Sequence, residues 1–287
     1  MKRTAAELML ERETRVTYGP VPHSLSDERL EESSWQLRGD HFLLRGEGDH
    51  YFHYKRGRGV RVERGAGAEL ADEQLWLNGS VYAAIASING LLPIHASAIA
   101  YHGKVLAFTA PAGGGKSTLV AALGDHGFPM FCDDTLVLDL SDPDRITCLP
   151  GHRRLKLTPH ALSLTSARQC EKVSTTVEKF YATPRSGEVG EALPFGELIF
   201  LEEGTAPEML AVAGPDRLLM LEDDHYTAQL FLTANQLSRA DHFTHLVRLA
   251  RQMPMTTFTR PMGRSRFLDG VEFAASYIKA SAKRSTT

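Results

Sequence analysis

The stretch KVLAFTAPAGGGKSTLVAALG, residues 104–124, decides the fold class of this chain. An apolar run typical of a buried strand ends at Thr109, and a run of helical composition begins at Ser117. A glycine-rich turn that joins a strand to a helix is the context of a phosphate-binding loop. The residues that would form it are Gly113, Gly114, Gly115, Lys116, Ser117 and Thr118. The stretch therefore predicts an α/β core that binds a nucleotide.

Each residue type in this loop has a chemical reason to be there. Glycines let the backbone curl so that successive N–H groups face phosphate oxygens, and the following helix adds the positive end of its dipole. Lys116 can reach the β- and γ-phosphates, and the Ser117 hydroxyl can coordinate a bridging Mg²⁺. Ala110 stands where the usual pattern has glycine, which is tolerable if its φ is negative. The alternative is a glycine-rich turn that binds nothing.

A pair of carboxylates follows the next predicted strand. Asp133 and Asp134 close the run FPMF one unit after the loop helix, where an acid that holds Mg²⁺ is expected. Two carboxylates allow two roles, because one can bind the metal while the other accepts a proton from an attacking hydroxyl. The alternative is a solvated acidic turn.

Other candidates carry weaker signals. His95 lies in the apolar run LPIHAS, where a histidine taken alone is more typical of a buried structural residue. Three basic residues beyond the Asp pair could bind substrate or the transferring phosphate, and they are Arg153, Arg154 and Lys156. A solvated strand edge is the alternative for them. Further candidates are Lys172, Lys179, Arg260 and Arg264.

The front of the chain has a different pattern of apolar residues and turns. Short apolar runs at 41–45, 50–55 and 59–63, separated by glycine-rich turns, predict a small antiparallel sheet. Leu77, Val81, Ile85 and Ile88 then follow at helical spacing. His41, His50 and His53 suggest a metal site, but the H-x-x-H spacing puts two of them on opposite faces of a strand. We therefore expect exposed hairpin residues there.

The composition excludes several classes of protein. With 32 basic and 35 acidic residues, the net charge of −3 argues against nucleic-acid binding. Three cysteines without a CxxC pair argue against a disulfide framework or a structural zinc site. The charged N-terminus resembles no secretory signal, and no apolar run reaches the roughly 18 residues of a membrane span. We expect a cytoplasmic protein without membrane contacts.

The segment LLPIHASAIAYHGKVLAFTAPAGGGKSTLVAALGDHGFPMFCDDTLVL, residues 91–138, resembles the kinase domain of the HPr serine kinase/phosphorylase family. The shared succession is a histidine strand, the strand–loop–helix unit, a short turn at 125–129 and the Asp pair. Weaker similarity continues at 151–157, 195–204 and 253–264. The resemblance implies a P-loop kinase core of the HPr kinase/phosphoenolpyruvate carboxykinase type, with the loop on a central sheet.

The resemblance also implies roles for residues of this chain. It implies transfer of phosphate from ATP, with Mg²⁺, to a serine hydroxyl. Asp133 matches the family's general base, and Asp134 matches its metal ligand or lysine-linked partner, although the order of the two roles stays open. His95 matches a histidine near the phosphates, and Ser117 matches a metal ligand. The catalytic set implied is Asp133, Asp134, His95 and Lys116.

Departures from the family pattern narrow the hypothesis. The front of the chain is too short for the N-terminal domain of bacterial HPr kinases, and no glycine-rich C-terminal segment for the reverse reaction is found. The chain therefore resembles kinases that phosphorylate a terminal serine of lasso-type precursor peptides. Two alternatives remain: a small-molecule kinase and a nucleotide-binding regulator with low turnover. The partner expected is a peptide or protein with an acceptor serine, and a homo-oligomer is left open.

The predicted organisation has four parts. Residues 1–34 form a polar N-terminal segment, and 35–90 form a small β domain plus a helix. Residues 91–275 form the kinase-like domain, and 276–287 form a basic tail. At 287 residues and about 150 residues per domain, one large or two small domains are expected.

Overall fold

The chain folds into a mixed α/β structure with three sheets, described by a computed structural model over residues 3–27, 30–32, 34–174, 177–222 and 225–284. Its strands are β1 (Val16–Tyr18), β2 (Ser34–Arg38), β3 (His41–Arg45), β4 (Tyr51–Lys55), β5 (Gly59–Glu63), β6 (Leu92–Ile94), β7 (Ala96–Tyr101), β8 (Lys104–Thr109), β9 (Met130–Cys132), β10 (Leu136–Asp139), β11 (Thr147–Leu149), β12 (Leu155–Leu157), β13 (Arg168–Lys172), β14 (Phe180–Thr183), β15 (Leu193–Glu203), β16 (Glu208–Ala211) and β17 (Met255–Arg260). Its α-helices are α1 (Ala5–Glu13), α2 (Leu70–Trp76), α3 (Tyr82–Ile88), α4 (Lys116–Asp125), α5 (Pro159–Leu162), α6 (Asp216–Leu221), α7 (Tyr226–Asn235), α8 (Arg239–Gln252) and α9 (Phe267–Arg284).

The small sheet at the front of the chain has the strand order β1-β5-β4-β3-β2. Strands β3 to β5 are antiparallel neighbours, as the short apolar runs predict. Two strands outside those runs extend the sheet: β2 is antiparallel to β3, and β1 adds to β5 in parallel. Phe42, Phe52 and Tyr54 face α3, while Leu43 and Tyr51 pack beneath Leu30 on the other side. Both faces of the sheet are therefore covered.

The helix predicted by the spacing of Leu77, Val81, Ile85 and Ile88 is confirmed, with one irregularity. A π-helical turn, Leu77–Val81, joins α2 to α3 and forms a continuous helical segment. Val81, Ile85 and Ile88 are buried against the small sheet, as their spacing predicts. The helical segment ends at Asn89, and Gly90 follows with a φ of 78°, a conformation that glycine adopts at little cost.

The large sheet explains why β8 is apolar on both sides. Its order is β6-β10-β11-β15-β8-β7-β9, and β17 pairs with β15 and β16. Strand β8 lies between β7, which is antiparallel to it, and β15, which is parallel. Leu106 and Phe108 pack with α4 and α9, whereas Val105 and Ala107 pack in the cluster that contains α7 and α8 residues. Helices therefore cover both faces of the sheet.

One predicted strand is wrong in its bounds. The apolar run Leu92–Ala100 predicts a single strand, but it is divided into β6 and β7 at His95. Strand β6 pairs with β10, and β7 pairs with β8 and β9, so the chain changes partners at that residue. The carbonyl of His95 accepts a hydrogen bond from the Thr109 hydroxyl at 3.0 Å instead of a ladder bond.

Several elements at the back of the chain are not predicted by its sequence pattern. The third sheet, with the order β12-β14-β13, is one of them. The patterns of residues 226–234 and 240–251 predict helices, and these are confirmed as α7 and α8. Helix α8 begins with a capping box in which Ser238 and Asp241 bond to each other's backbone N–H. The basic tail expected at 276–287 is not a separate segment, because residues 276–284 form the end of α9. Residues 285–287 lie outside the described residues. No helix in the described ranges is both long and apolar enough to span a membrane.

The small sheet and the large sheet share one apolar cluster. Val137 of β10, Leu149 of β11 and Leu230 of α7 pack in the same cluster as Phe42 and Ile85. The boundary predicted between residues 90 and 91 therefore crosses a packed core, and the division into domains stays a prediction. Removing the front of the chain would expose the apolar side chains of β10, β11 and α7.

The histidines of the small sheet are not the exposed residues we expected. His50 is buried, and its Nε2 lies 3.1 Å from a carboxylate oxygen of Glu73. His41 and His53 contact each other at 3.1 Å between ring nitrogens. In the part of the chain that the structure describes, no group of three or more His, Cys, Asp or Glu side chains could hold a metal ion. The contacts of these histidines lie within the small sheet and between the sheet and α2.

Glu73 is the centre of a buried charge network on α2. Its side chain is 1% exposed, and its two oxygens contact the Arg64 guanidinium at 2.6 and 3.0 Å. The Tyr18 hydroxyl donates to the same carboxylate at 2.8 Å. Burial would raise the pKa of Glu73, but Arg64 and Tyr18 hold it below its usual range. The network ties β1 and the end of β5 to α2.

We predict that Glu73→Gln lowers the free energy of unfolding by about 2–3 kcal/mol, because Arg64 loses a buried ionic partner and the Tyr18 hydroxyl loses a charged acceptor. Urea unfolding followed by circular dichroism at pH 7 would measure the change. Glu272→Gln is the matched control, since Glu272 is exposed on α9. Equal stabilities of the two variants would contradict the prediction.

Candidate functional site

The glycine-rich loop lies between β8 and α4, where the sequence pattern predicts it. Gly113 and Gly115 have φ values of 82° and 77°, in the left-handed region that favours glycine. Gly114 is required for a different reason, because a Cβ there would lie 2.6 Å from the Cβ of Ala110. Ala110 is not among the non-glycine residues with positive φ, so it meets the condition stated above. The Ala110 methyl group thus occupies space that Gly114 leaves free.

The start of α4 has the features of an anion site. Gly115 is the N-cap of the helix and has no side chain that could bond to the N–H groups of the first turn. Lys116 is 7% exposed, and its Nζ donates to the carbonyls of Ala110 and Pro111 at 2.8 and 3.3 Å. Its ammonium group therefore lies over the beginning of the loop.

Arg260, one of the four further basic candidates of the sequence analysis, contacts the glycine-rich loop. It ends β17, is 3% exposed, and donates from Nη2 to the carbonyl of Gly114 at 2.6 Å. Its Nη1 contacts the sulfur of Met262, and its buried Nε has no hydrogen-bond partner in the described chain. Burial lowers the pKa of Arg260. Three other candidates are grouped with it. Lys172 and Arg264 are exposed, on β13 and on the short 3₁₀ turn Arg264–Arg266, and Lys179 is half-buried just before β14.

Asp133 is a buried carboxylate with three hydrogen-bond donors. The hydroxyls of Ser97 and Ser117 donate to Oδ1 at 2.6 and 2.8 Å, and the backbone N–H of Lys156 donates to Oδ2 at 2.9 Å. The residue is 1% exposed. Burial, followed by the charge of the neighbouring Asp134, raises the pKa of Asp133. The structure therefore brings the loop serine and the first predicted carboxylate into direct contact.

Asp134 has a different environment although it is the next residue. Its φ is 71°, in the left-handed region, and the N–H of Thr135 donates to the carbonyl of Asp133 across this tight turn at 2.9 Å. The turn points its carboxylate at Lys156, whose Nζ lies 2.8 Å from Oδ2. Burial would raise the pKa of Asp134, but Lys156, His95 and Lys116 hold it well below its usual range. Asp134 is therefore the more firmly ionised member of the pair.

His95 lies at the break between β6 and β7 and faces the Asp pair. Its Nδ1 is 3.1 Å from the carbonyl of Asp134 and 3.5 Å from Oδ1 of the same residue. Its ring stacks on that of His225, with 3.9 Å between centroids and 15° between planes. Burial and the charge of Lys116 lower the pKa of His95 to about 4. His95 is therefore neutral at pH 7, and its contact with Asp134 is not an ion pair.

The predicted basic segment is only partly in the site. Lys156 contacts both carboxylates, through its backbone N–H to Asp133 and its ammonium to Asp134. Arg154 instead makes a bidentate pair with Glu171, at 2.5 and 2.6 Å, and its guanidinium lies 4.4 Å from the ring centre of Tyr181. Arg153 pairs with Glu188 at 3.4 Å. Thus one of the three predicted substrate residues reaches the Asp pair.

The donors at this centre are suited to a hard cation that is shared with a ligand. Ser117, Asp133 and Asp134 present hydroxyl and carboxylate oxygens, the ligands that Mg²⁺ prefers. Within the described ranges, no group of three or more His, Cys, Asp or Glu side chains could hold a metal ion by itself. A Mg²⁺ held here would need phosphate and water oxygens to complete its shell, as is usual for this ion.

Comparisons with known proteins give little further information. No family profile and no curated protein match the chain. Among solved structures, an HPr(Ser) kinase/phosphatase from Coxiella burnetii is similar over 66% of this chain and 98% of that chain, with 12% sequence identity and a TM-score of 0.33. A likeness at that score carries no argument, so the resemblance noted in the sequence stays a prediction. The function below is argued from the site.

We predict that Lys156→Met lowers the free energy of unfolding by about 2 kcal/mol at pH 7, because Asp134 loses its ionic partner. Asp134 has a depressed pKa in the folded chain, so this stabilisation is present above the ordinary aspartate pKa of about 3.9 and is lost as pH falls through the folded value. Urea unfolding at pH 7 and at lower pH would measure it. The loss should be smaller in an Asp134→Asn background and absent in the exposed control Lys104→Met. An equal loss in both backgrounds would refute the assignment.

Proposed function

We propose that this protein is an ATP- and Mg²⁺-dependent kinase that transfers the γ-phosphate to a serine hydroxyl of a peptide or protein. The observation that carries the proposal is the 2.8 Å hydrogen bond from Ser117, the loop serine, to Asp133. It joins an uncapped glycine-rich loop to a carboxylate pair in one buried centre. Phosphoryl transfer needs both parts at one point: donors for the phosphates, and a carboxylate beside the attacking hydroxyl.

The loop is suited to the phosphates of ATP. The uncapped first turn of α4 offers backbone N–H groups, and Lys116 adds a positive charge at the beginning of the loop. Arg260 holds the carbonyl of Gly114 and so fixes the loop backbone from behind. Mg²⁺, when bound by Ser117 and Asp134 oxygens, would supply neutralisation of charge on the β- and γ-phosphates.

We assign the general base to Asp133 and the metal-side role to Asp134. A base needs a higher proton affinity than an ordinary carboxylate at neutral pH, and the pKa of Asp133 is raised. Asp134 has a lowered pKa and is paired with Lys156, which suits a carboxylate that stays ionised. The bond from Ser117 to Asp133 places the base beside the loop.

The proposed reaction balances without another reactant. Asp133 takes the proton of the acceptor hydroxyl as that oxygen forms its bond to the γ-phosphorus. The bond between the γ-phosphorus and the β,γ-bridging oxygen breaks, and ADP leaves with the electron pair. Lys116 stabilises charge on the transferring group, and Lys156 keeps Asp134 ionised. Neutral His95 adds no second positive charge beside the acceptor.

The most specific form of the proposal is a kinase for the terminal serine of a lasso-type precursor peptide. It rests on the resemblance of residues 91–138 to HPr kinase-like enzymes and on the small β-sheet that precedes the core. Strand β2 lies at one edge of the small sheet. We propose that an extended acceptor peptide adds to this edge strand.

We predict that the wild-type chain adds one phosphate to a peptide that ends in serine, and that Asp133→Asn lowers the rate by about 10²-fold or more, because the base is lost. Mass spectrometry after incubation with ATP and Mg²⁺ would measure the transfer. The base must be ionised, and the pKa of Asp133 is raised. As the pH is lowered, kcat/KM should therefore begin to fall at a pH above the ordinary aspartate pKa of about 3.9.

The controls separate the classes of function. Asp142→Asn changes an exposed carboxylate outside the site and should leave the rate unchanged. Asp133→Asn should still bind the nonhydrolysable analogue AMP-PNP. A wild-type chain that binds the analogue but phosphorylates neither serine peptides nor small alcohols would favour a nucleotide-binding regulator.

We predict that Gly114→Ala weakens binding of AMP-PNP by roughly tenfold, since the added Cβ would overlap the Ala110 methyl and lie 3.0 Å from the carbonyl of Pro111. The double variant Ala110→Gly/Gly114→Ala should recover part of the affinity, because it removes the closer contact. Isothermal titration with Mg²⁺ present would measure both, and Ala110→Gly alone is the control. Equal affinities for Gly114→Ala and wild type would contradict a phosphate-binding role for this loop.

A further inference from the structure

An apolar cavity of about 540 Å³ adjoins the candidate site on the side of His95. It is lined by His95 and by the first loop residues, Ala110, Pro111 and Ala112. Its walls are otherwise largely apolar and include Phe200, Leu221, Ala228, Phe231, Leu232 and Leu246. A cavity of this size with mostly apolar walls is typical of a ligand pocket. None of these six apolar residues takes part in the proposed phosphoryl transfer.

We infer that this cavity binds a bulky apolar side chain next to the acceptor serine, so that the enzyme selects peptide acceptors in which a large apolar residue adjoins that serine. The inference rests on the proposed function and adds to it the chemical class of the acceptor. It commits to a peptide side chain as the occupant and not to the nucleobase of ATP.

The position of Lys116 favours a peptide side chain over the nucleobase as the occupant of the cavity. A P-loop lysine acts on the β- and γ-phosphates, and the Nζ of Lys116 lies on the carbonyls of Ala110 and Pro111. The reacting end of the triphosphate is therefore at the beginning of the loop, where the cavity also begins. The nucleoside lies at the opposite end of the triphosphate. The cavity accordingly adjoins the acceptor and not the base of the nucleotide.

The charges around the cavity agree with this occupant. Among its described lining residues the charged side chains are Glu202 and Glu222, and neither lysine nor arginine is present. Such a lining disfavours phosphate groups and acidic side chains. His95 lines the cavity and also contacts Asp134, so a side chain in the cavity would hold its own backbone beside the Asp pair.

A buried ring nitrogen without a hydrogen-bond partner belongs to one of the residues that line the cavity, which is consistent with a ligand site. His245 lines the cavity, and its buried Nε2 has no hydrogen-bond partner in the described chain. Burial, followed by the charges of His242 and Arg248, lowers the pKa of His245, so the ring is neutral at pH 7. An apolar pocket with one or a few oriented polar atoms is the usual design of a specific binding site.

The test compares two peptides that end in the acceptor serine, Gly-Gly-Leu-Ser and Gly-Gly-Asn-Ser, in which leucine and asparagine have similar size. Binding of each to the AMP-PNP–Mg²⁺ complex of the full chain is measured by isothermal titration, and transfer from ATP by mass spectrometry. We expect the leucine peptide to bind roughly tenfold more tightly or better. This comparison needs no variant.

A variant pair then locates the binding. Ala228→Phe fills the cavity from α7 and should bring the affinity for the leucine peptide down to that for the asparagine peptide. Thr233→Phe adds the same ring at an exposed position of the same helix and should change nothing. Affinity for AMP-PNP should be the same in all three chains, and thermal melting checks that each is folded.

Equal affinities for the two peptides in the wild type would overturn the inference. A loss of AMP-PNP affinity in Ala228→Phe, with peptide binding intact, would overturn it in favour of a nucleobase pocket. Failure of the proposed function gives a different result: no phosphate is transferred to either peptide, while selective, Ala228-dependent binding of the leucine peptide persists.

Discussion

The buried carboxylate of Asp133 is the constraint on which the rest of the site depends. A carboxylate that is 1% exposed needs hydrogen-bond donors, and it receives them from three separate parts of the fold. Ser97 comes from β7, Ser117 from α4, and the N–H of Lys156 from β12. Because Asp133 itself follows β9, four segments meet at one charge. The position of the glycine-rich loop relative to the carboxylate pair is set by this meeting point.

The turn at Asp134 gives neighbouring carboxylates opposite properties. A left-handed φ at a residue with a side chain has an energetic cost, and it sends the second carboxylate away from the donors of the first. Asp134 meets an ammonium group instead of hydroxyls, so the pKa values of the two residues move in opposite directions. Two carboxylates separated in this way can divide the roles of proton acceptor and metal ligand.

The parts of the fold that could be predicted are those coded locally. The loop, α4 and the meander of the small sheet follow from glycine positions and from periodicity within short windows. Ser97 and His225 could not be found this way, because each acts through a contact with a residue far away in the chain. Arg260 is one of several basic candidates, and only its contact with Gly114 distinguishes it from the others. Arg154 is the opposite case, a residue that the sequence predicts for the site but that pairs with Glu171 away from the Asp pair. The break at His95 depends on strand partners that no local pattern encodes.

The shared core beneath the small sheet affects the order in which the chain can fold during synthesis. Phe42, Phe52 and Tyr54 emerge from the ribosome early, whereas Leu230, in the same cluster, belongs to the last third of the chain. Domains fold as units, and long-range contacts form late because closing long loops costs entropy. The inner face of the sheet therefore stays without its full cover until α7 has been made, and the nascent chain carries an exposed apolar surface that suits it as a client of chaperones.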